Sequence, residues 1–491
     1  MGCLSRLFKR RRASKSLPQE DLPSSLTSDS SLAYKTGSIE SDKDGKRCQC
    51  LCPACDFSFG DQSLWWKSES IATLPPYSSV LDESVCDATK SITQALDGLR
   101  SKLREISLKI HQHPEIQFKE KFAHDLLSSF MEDHGFKVSR QYLGLSTAWR
   151  AEFSHGKGGR VLGVNSEMDA LLGLGHACGH NLIAVSGCGV AIILKAALEA
   201  TNTPGKIILL GTPAEEAGGG KIILLDRGAY DEMDLCLMCH PGPGPTHSFD
   251  VGSTNAMQNI DVEFFGRSAH AGAAPWEGTN ALDAAFLAYS SISVLRQQMK
   301  PDHRVHGVIQ GKDWSPNVIP DYAKMKWIVR APTYAELRVL AEKVLNCFRA
   351  ASLATSCDVS IKTDAAYYDL KQNPALGKLT KEFKAVIKDH YLMETTSRGS
   401  TASTDFGNVG HRLPSLHPMF AIPTEPNGGN HTPAFARSAA TLEAHEAAMV
   451  TTRALALTGF RAMRDESFFQ EVGKPVRVFR RRPLTTGLAD S

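Results

Sequence analysis

The sequence predicts an α/β protein with a mainly parallel sheet and an inserted, smaller domain of ferredoxin-like α+β type. Apolar segments of strand length alternate with helical segments between residues 161 and 239, which is the pattern of a parallel sheet. From 255 to 364 the order becomes β-α-β-β-α-β, the order of a ferredoxin-like unit. The strand and helix alternation then resumes, so the smaller domain is inserted into the larger one.

Length and composition exclude several classes of protein. A chain of 491 residues is too long for one hydrophobic core, so at least two domains are expected. The formal net charge of +2 argues against a general nucleic-acid binder. No apolar segment reaches about 18 residues without a charge or a breaker, which argues against a spanning helix. The 12 cysteines are not spaced like a disulfide scaffold, so a reducing, cytoplasmic location is expected.

Residues 1–84 are rich in Ser, Asp, Lys and Pro without a sustained period, and we expect them to be disordered. A basic run without any acid follows Gly2 and Cys3 within this segment. Acylation of those two residues beside the basic run would bring the tail into contact with a membrane. Arg6 stands where the myristoylation pattern has Ser or Thr, so a plain basic tail is the alternative.

Four cysteines cluster between Cys48 and Cys55. The paired CxxC spacing of convincing zinc sites is absent there. This cluster could bind a metal ion, it could be palmitoylated, or it could be a chance grouping.

The first part of the larger domain covers residues 85–254. It opens with a helix whose apolar residues recur at helical spacing from Ile92 and which ends at Pro114. The elements expected after it are a helix at 118–134, strands at 136–142, 148–153 and 161–168, a helix at 182–199, a strand at 206–212, a helix at 221–227 and a strand at 235–239.

The same periodicities predict the strands and helices of residues 255–465. Within the inserted domain, residues 255–364, we expect strands at 258–265, 305–310, 324–331 and 359–363 and helices at 280–298 and 335–351. Residues 365–465 return to the larger domain with a helix at 377–390, a strand at 416–422 and a helix at 439–464. Residues 466–491 are expected to form a peripheral basic tail.

Metal-type side chains follow the strand expected at 161–168. Glu167 and Asp169 come at its end, and Cys178 and His180 lie in a glycine-containing turn before the next helix. Thiolate and imidazole suit zinc better than magnesium or calcium. A buried cysteine and a core histidine are the alternative for this segment taken alone.

Later segments carry the same kinds of side chain. Glu215 and Glu216 follow the strand at 206–212, where successive side chains point to opposite sides, so one carboxylate could bind metal while its neighbour faces a reacting water. A solvated loop is the alternative for this pair. His240 follows the strand at 235–239, and His431 lies in a Gly-rich loop. Because α/β sheets collect ligands at the carboxyl ends of their strands, these donors indicate chemistry more strongly together than singly.

Two short patterns in this region are not interpreted as separate sites. The AGGGK sequence that follows Glu216 lacks the spacing of a phosphate-binding Walker loop. Cys236 and Cys239 form a CxxC inside an apolar strand, so we expect them to be packed rather than redox active.

Several segments together resemble those of one enzyme family. They span about 86–463 and read IHQHPE, HACGHN, TPAEE, MCHP, GRSAHAGAAPWEGTNALDA, STDFGN and HTPAF. The sequence is similar to the amidohydrolase branch of the aminoacylase, carboxypeptidase and dipeptidase family of co-catalytic metallopeptidases, the peptidase M20 type. Within that branch it most resembles dipeptidases that act on peptides with a basic C-terminal residue. The resemblance implies a zinc-peptidase-like catalytic domain, with the inserted domain as a lid that also forms a homodimer.

The resemblance also implies roles for individual residues. Glu215 becomes the general base and acid. Asp169, with Glu167, orients a metal ligand without binding the metal itself. Two metal ions per subunit are implied, zinc being favoured by the thiol and manganese being the alternative. Their ligands would be Cys178, His180, Glu216, His240 and His431.

In the inserted domain, the resemblance assigns His270 to steady the oxyanion, often across the dimer, and Asn317 and Arg330 to hold the substrate carboxylate. Such donors are what acyl transfer needs, because negative charge develops on the carbonyl oxygen. The alternatives are a capped loop for His270 and a surface charge at a strand end for Arg330.

The sequence therefore predicts metal-dependent hydrolysis of the amide bond of dipeptides, with water activated by the metal pair and Glu215 moving the proton. An N-acyl-amino-acid amidohydrolase is the alternative of the same class. A metal-binding scaffold without activity, or a partner recruited to membranes, is the alternative of a different class.

Overall fold

The computed structural model describes residues 83–245, 248–388 and 402–473. The acylation of Gly2 and Cys3, the cysteine cluster at 48–55 and the basic end of the chain all lie outside these residues, so those predictions stay predictions. The disorder expected for residues 1–84 stays a prediction for residues 1–82, whereas Glu83 and Ser84 belong to the first helix.

The helices and strands are as follows. The helices are α1 (Glu83–Gln112), α2 (Lys121–Asp133), α3 (His180–Ala200), α4 (Gly220–Asp226), α5 (Ala281–Leu295), α6 (Tyr334–Thr355), α7 (Pro374–Lys388), α8 (Phe406–Gly410), α9 (Pro433–Ser438), α10 (Leu442–Arg464) and α11 (Glu466–Val472). The strands are β1 (Lys137–Arg140), β2 (Trp149–His155), β3 (Arg160–Glu167), β4 (Gly205–Thr212), β5 (Leu235–Leu237), β6 (His240–Pro243), β7 (Phe249–Asp250), β8 (Ala256–Phe265), β9 (Arg304–Gln310), β10 (Tyr322–Ala331), β11 (Asp358–Thr363), β12 (Ser415–Leu416) and β13 (Met419–Ile422).

The larger sheet has the order β1-β2-β4-β3-β5-β12. The pairs β3–β4, β3–β5 and β5–β12 are parallel, whereas β1–β2 and β2–β4 are antiparallel. The central strand β3 is buried from Leu162 to its end at Glu167, as expected of a parallel strand covered on both faces. The predicted mainly parallel sheet is confirmed, and the carboxyl ends of β3 and β4 lie at the same edge.

Helix α3 is the central helix of this domain. It is long and apolar enough to cross a membrane by length and composition, but 89% of its apolar window is buried inside the protein. It packs against α1, α10 and β3, and Ile193 and Leu194 are fully buried in that core. Packing between helices and sheet therefore accounts for its apolar sequence.

The inserted domain has a sheet of its own, with the order β11-β8-β10-β9 and all neighbouring pairs antiparallel. Helices α5 and α6 pack against each other and against β8 and β10, around a separate core that includes Ile260, Met325, Trp327 and Phe348. The chain order β8-α5-β9-β10-α6-β11 confirms the ferredoxin-like arrangement.

A third sheet, β6-β13-β7, corrects two predicted strands. The segment 416–422 is not one strand: it divides into β12 in the large sheet and β13 in the small one. Pro418 lies between them and has no N–H to continue a ladder. Likewise, β5 ends at Leu237, and His240 begins β6 in the small sheet.

Two predictions near the end of the chain, one of a helix and one of a tail, were also wrong in detail. The last long helix begins at Leu442 rather than at 439, because the Thr441 side chain caps it by accepting from Ala444 N–H, and the short α9 precedes it. Residues 466–472 were assigned to a peripheral tail but form α11, whose Val472 is buried. The Val472 carbonyl accepts a hydrogen bond from Asn373 Nδ2, which ties α11 to the start of α7.

Candidate metal centre

The predicted site residues of the larger domain lie at or after the carboxyl ends of its central strands. Glu167 ends β3, and the segment after β4 carries Glu215 and Glu216. Cys178 lies in the loop before α3, and His180 is the first residue of that helix. Gly179 between them has φ +80°, and a Cβ there would lie 2.5 Å from Cγ of Pro241, so only glycine fits this turn.

His180 is the centre of the cluster and is fully buried. Its Nε2 lies 3.4 Å from Glu167 Oε2, 3.6 Å from Glu216 Oε1 and 3.9 Å from Glu215 Oε2. Three carboxylates thus surround the same ring nitrogen.

The other predicted ligands adjoin this group. Cys178 Sγ lies 3.4 Å from His240 Nε2, and His431 Nε2 lies 3.4 Å from Glu216 Oε2. Ligand atoms fall within 4.8 Å of one another in three sets that contain predicted ligands: Cys178, His180 and His240; Cys178, Glu216 and His431; and His180, Glu215 and Glu216. The five predicted ligands and the predicted base therefore come together, although they are spread over more than 250 residues of sequence.

Hydrogen bonds orient two of the histidine rings. Nδ1 of His180 lies 3.2 Å from Asp169 Oδ1, and Nδ1 of His240 lies 2.7 Å from the Pro241 carbonyl oxygen. A carbonyl oxygen can only accept, so His240 Nδ1 carries the proton and Nε2 keeps its lone pair. Histidine ligands are usually held in this way, with the second nitrogen donating to an oxygen. The placement of Asp169 agrees with its predicted orienting role.

The two adjacent glutamates differ in acidity. Burial raises the pKa of Glu215 well above its usual value, and the nearby Glu167 and Glu216 carboxylates add to the effect. Burial acts in the same direction on Glu216, but His431 and His180 outweigh it and lower the pKa of Glu216 to about 2. Paired carboxyl groups whose pKa values are driven apart are typical of sites in which one group carries protons.

The donor set fits a divalent metal ion. Among the described residues, the buried atoms His180 Nε2 and Glu216 Oε1 have no hydrogen-bond partner, which is costly unless a cation lies between such atoms. Two ligands of one tetrahedral zinc ion lie about 3.3–3.7 Å apart. Three pairs of predicted ligands match this range: His180 and Glu216 at 3.6 Å, Cys178 and His240 at 3.4 Å, and Glu216 and His431 at 3.4 Å. Thiol, imidazole and carboxylate donors together suit a transition metal better than magnesium.

Of the three site residues predicted in the inserted domain, only Arg330 has a described interaction with a residue of this centre. Arg330 is half-buried at the end of β10, and the negative charge of Glu215 stabilises its positive charge. Its Nη1 donates to Ser403 Oγ at 2.9 Å. His270 and Asn317 are exposed and lie together, because Asn317 accepts a backbone hydrogen bond from Ala271. Within the described residues, no hydrogen bond or ion pair joins His270 or Asn317 to the metal cluster.

Sequence reasoning missed several buried charged residues around the cluster. Lys221 pairs with Glu167 and with Asp405, and Glu120 accepts hydrogen bonds from Ala214 N–H and Thr147 Oγ1. The AGGGK and STDFGN segments were noted as patterns, yet nothing in the sequence showed that Lys221 and Asp405 meet across 184 positions.

Comparison with known proteins places the chain in a family. Residues 164–454, which hold every predicted metal ligand, match the model of the Peptidase family M20/M25/M40. The chain belongs to this peptidase family. The predicted resemblance is thereby confirmed, and this M20 chain is a hydrolase.

Curated relatives cover most of the M20 chain. It is 41% identical over 394 residues to the Xaa-Arg dipeptidase of Mus musculus, covering 78% of this chain and 90% of that protein. It is 40% identical over 382 residues to the Xaa-Arg dipeptidase of Homo sapiens, covering 74% and 86%. A more distant relative, a p-aminobenzoyl-glutamate hydrolase subunit of Escherichia coli, is 31% identical over 296 residues and covers 56% and 60%.

Solved structures share the fold. A dinuclear metal binding peptidase of the M20 family from Bacillus subtilis aligns with a TM-score of 0.58 at 19% identity, covering 75% of this chain and 99% of that one. An aminobenzoyl-glutamate utilization protein from Klebsiella pneumoniae aligns with a TM-score of 0.61 at 18% identity, covering 76% and 99%. At such identities the likeness establishes the fold of the M20 chain, and the functional argument depends on its own residues.

Proposed function

We propose that this chain is a metal-dependent dipeptidase that hydrolyses the amide bond of dipeptides, with a preference for a basic C-terminal residue. One observation carries the proposal: Glu215 lies beside a cluster in which thiol, imidazole and carboxylate donors face one another. The substrate preference is supported by two relatives at 40–41% identity, which are Xaa-Arg dipeptidases.

Cys178, His180, Glu216, His240 and His431 would hold the metal, which we propose to be two zinc ions, with manganese as the alternative. When bound, the ions would supply Lewis-acid chemistry that acidifies a water molecule and polarises the amide carbonyl. His180 and His240 are ready for this role, since their Nδ1 atoms are held by Asp169 and by the Pro241 carbonyl.

Glu215 would move the proton. Its carboxylate is buried and lies within reach of the cluster, so it can accept a proton from the attacking water and return it to the leaving nitrogen. The neighbouring Tyr367 hydroxyl donates to the Glu215 carbonyl at 2.9 Å and so fixes the backbone that carries this carboxylate. Closure of the site around substrate would exclude competing water.

Arg330 would bind the C-terminal carboxylate of the substrate. It is half-buried, it lies near Glu215, and its contact with Ser403 limits its side-chain freedom. Asn317 would join it, and His270 would donate to the developing oxyanion. Because His270 and Asn317 are exposed on the inserted domain, we propose that this domain is a lid and that the two residues serve the site of a second copy in a homodimer.

A panel of substrates tests the activity. The purified full chain, loaded with Zn2+ or Mn2+, is offered Xaa-Arg, Xaa-Lys, Xaa-Glu and Xaa-Ala dipeptides, with the metal-chelated protein as control. We expect the highest kcat/KM for the basic C-terminal residues and no turnover after chelation. Full activity after complete metal removal would contradict the proposal.

An N-acyl-amino-acid amidohydrolase is the second candidate, supported by the 31% identity to the p-aminobenzoyl-glutamate hydrolase subunit of Escherichia coli. N-acetyl-arginine and p-aminobenzoyl-glutamate in the same panel separate the two activities. A higher kcat/KM for these than for every dipeptide would favour the second candidate.

The cellular location is a further part of the proposal. We place the chain in the cytoplasm, with membrane contact through Gly2, Cys3 and the basic run. Fractionation of cells that express wild type or Gly2→Ala/Cys3→Ser tests this. Membrane association that is equal in both would contradict acylation, and a wholly soluble wild type would contradict membrane contact.

A further inference from the structure

Lys221 is a fully buried cation beside the metal centre. Its Nζ lies 2.7 Å from Glu167 Oε1 and 2.6 Å from Asp405 Oδ1. Its backbone N–H also donates to Asp405 Oδ2 at 2.9 Å, so Asp405 binds both ends of this residue. A buried ammonium is stable only when it is paired in this way.

The glycines before Lys221 bring it to this place. A Cβ at Gly220 would lie 1.9 Å from the Pro213 carbonyl oxygen, so the chain can pass here only as glycine. Lys221 is therefore brought to the cluster by the same segment that carries Glu215 and Glu216. This gives the AGGGK sequence a structural purpose other than phosphate binding.

Glu167 links Lys221 to the metal ligands. One of its oxygens is 2.7 Å from Lys221 Nζ, and the other is 3.4 Å from His180 Nε2. Glu167, Lys221, Asp405 and His180 are all fully buried, so solvent does not weaken the contacts between them. A continuous series of contacts thus runs from Asp405 through Lys221 and Glu167 to His180.

Lys221 also occupies a position that would otherwise suit an ion. Oxygens of Glu167, Glu215 and Asp405 lie within 4.8 Å of one another, close enough to hold a metal. The ammonium group pairs with two of these three carboxylates. It therefore supplies the positive charge that this group of acids needs, from within the chain itself.

We propose that Lys221 is a positioning residue for the metal centre: it grips one oxygen of Glu167, so that the other stays aimed at the metal-binding nitrogen of His180. This rests on the proposed function only in so far as His180 binds metal. Without the contact to Lys221, the Glu167 carboxylate can rotate away from His180. This changes the surroundings of the bound ion although all its ligands remain.

Charge must be held constant in the test, because loss of a cation alone would attract metal more strongly. The double variant Lys221→Met/Asp405→Asn removes one positive and one negative charge, so the net charge is unchanged. The readouts are the visible absorption of bound Co2+, which responds to ligand geometry, and its Kd by competition with a chelator. We expect a shifted spectrum and a Kd weakened about 10–100-fold, the range for residues that support ligands.

Single variants complete the experiment. Glu167→Gln, which leaves Lys221 and Asp405 in place, should shift the spectrum as the double variant does; the spectrum is the readout here, because the loss of one negative charge also weakens Co2+ binding. Asp405→Asn keeps the Lys221–Glu167 pair and an amide oxygen that can still accept from Lys221, so it should shift the spectrum less than the double variant does. A folded double variant with the wild-type Kd and spectrum overturns the proposal. If the double variant does not fold, Glu167→Gln decides, since wild-type Co2+ behaviour there means that Glu167 does not act on His180.

The same measurements separate this inference from the proposed function. Failure of the wild type to bind Co2+ would refute the metal-dependent function itself. Normal Co2+ binding by the wild type together with unchanged variants would refute only the role of Lys221.

Discussion

The Glu120 carboxylate accepts a hydrogen bond from the backbone N–H of Ala214 at 2.9 Å, and Ala214 has φ +60°. A positive φ is unfavourable for a residue with a Cβ, so it persists only where the surroundings impose it. The other Glu120 oxygen accepts from Thr147 Oγ1 at 2.8 Å. A residue near the start of the domain thus fixes the turn that presents Glu215 and Glu216.

Glu120→Ala is expected to lower the free energy of unfolding by about 2–4 kcal/mol, because it leaves two buried donors without an acceptor. Urea denaturation measures this, with Asp133→Ala, an exposed acid at the end of the next helix, as the control. The control should stay within about 0.5 kcal/mol of wild type. Equal stability of the two variants would mean that Glu120 does not support the turn.

Glu215→Gln is expected to lower kcat about 10²–10⁴-fold, because the variant cannot accept the proton of the attacking water. Metal content, measured by elemental analysis, should stay at the wild-type level, since Glu215 is not among the proposed ligands. Cys178→Ala is the complementary variant and should lose both metal and activity. A fully active Glu215→Gln variant would exclude this residue as the base.

Buried Lys384 should make stability depend on pH. Burial lowers the pKa of Lys384 to about 7, although its Nζ donates to the Ser248 carbonyl and lies 4.6 Å from the centre of the Phe249 ring. Below pH 7 the folded state carries a buried charge. Between pH 7 and the usual lysine value only the unfolded state holds this proton, so stability rises by about 1.4 kcal/mol per pH unit.

Lys384→Met is therefore expected to stabilise the protein at pH 7 and to abolish this part of the rise at alkaline pH. Urea denaturation at pH 6, 7, 8 and 9 measures both effects. Lys378→Met changes an exposed lysine of the same helix and should follow the wild-type curve. A rise that survives in Lys384→Met would have to come from another group.

Much of the fold was predictable because it depends on local patterns. The apolar segments gave β3 and β4, and the change in element order gave the inserted domain. The division at Pro418 was missed because the apolar residues on both sides look like one strand. Only the positions of β6 and β7 show that the second half belongs to another sheet.

The metal ligands of the site could be predicted from the sequence, but the buried residues that hold those ligands in place could not. Cys178, His180 and the two glutamates are chemically conspicuous and follow strand ends. Lys221 and Asp405 are ordinary charged residues in sequence, and their burial depends on the packing of α4 against α8. The relation of His270 to the centre could not be predicted either, because it depends on the arrangement of the two chains in the proposed homodimer.

Arg330→Met should raise KM for dipeptides by at least about tenfold while kcat changes less, because the ion pair with the substrate carboxylate forms in the ground state as well as the transition state. Steady-state kinetics measures the two constants. Lys326→Met is the matched control: it lies on the same strand and is exposed, so it should leave KM unchanged. An unaltered KM in Arg330→Met would assign carboxylate binding to another residue.

The inserted domain presents a surface suited to a second copy of the chain. Strand β9 is an edge of its sheet, and Val308 on it is 56% exposed. On α5, Phe286 is 57% and Val294 is 75% exposed. An exposed edge with apolar side chains invites pairing unless a partner covers it. We expect Val308→Arg to convert a wild-type dimer into a monomer in sedimentation analysis, whereas Leu442→Lys, in the larger domain, should not.

Complementation between two inactive variants would then show whether His270 acts across the proposed dimer. In a heterodimer of Glu215→Gln and His270→Ala, one site combines an intact Glu215 with the intact His270 of the other chain. Random exchange of protomers gives roughly a quarter of the sites this composition, so activity should return to about that fraction on mixing. Two variants that stay inactive when mixed, although they exchange protomers, would place His270 in its own chain's site. With Val308→Arg in both chains, mixing should restore nothing, because the shared site cannot assemble.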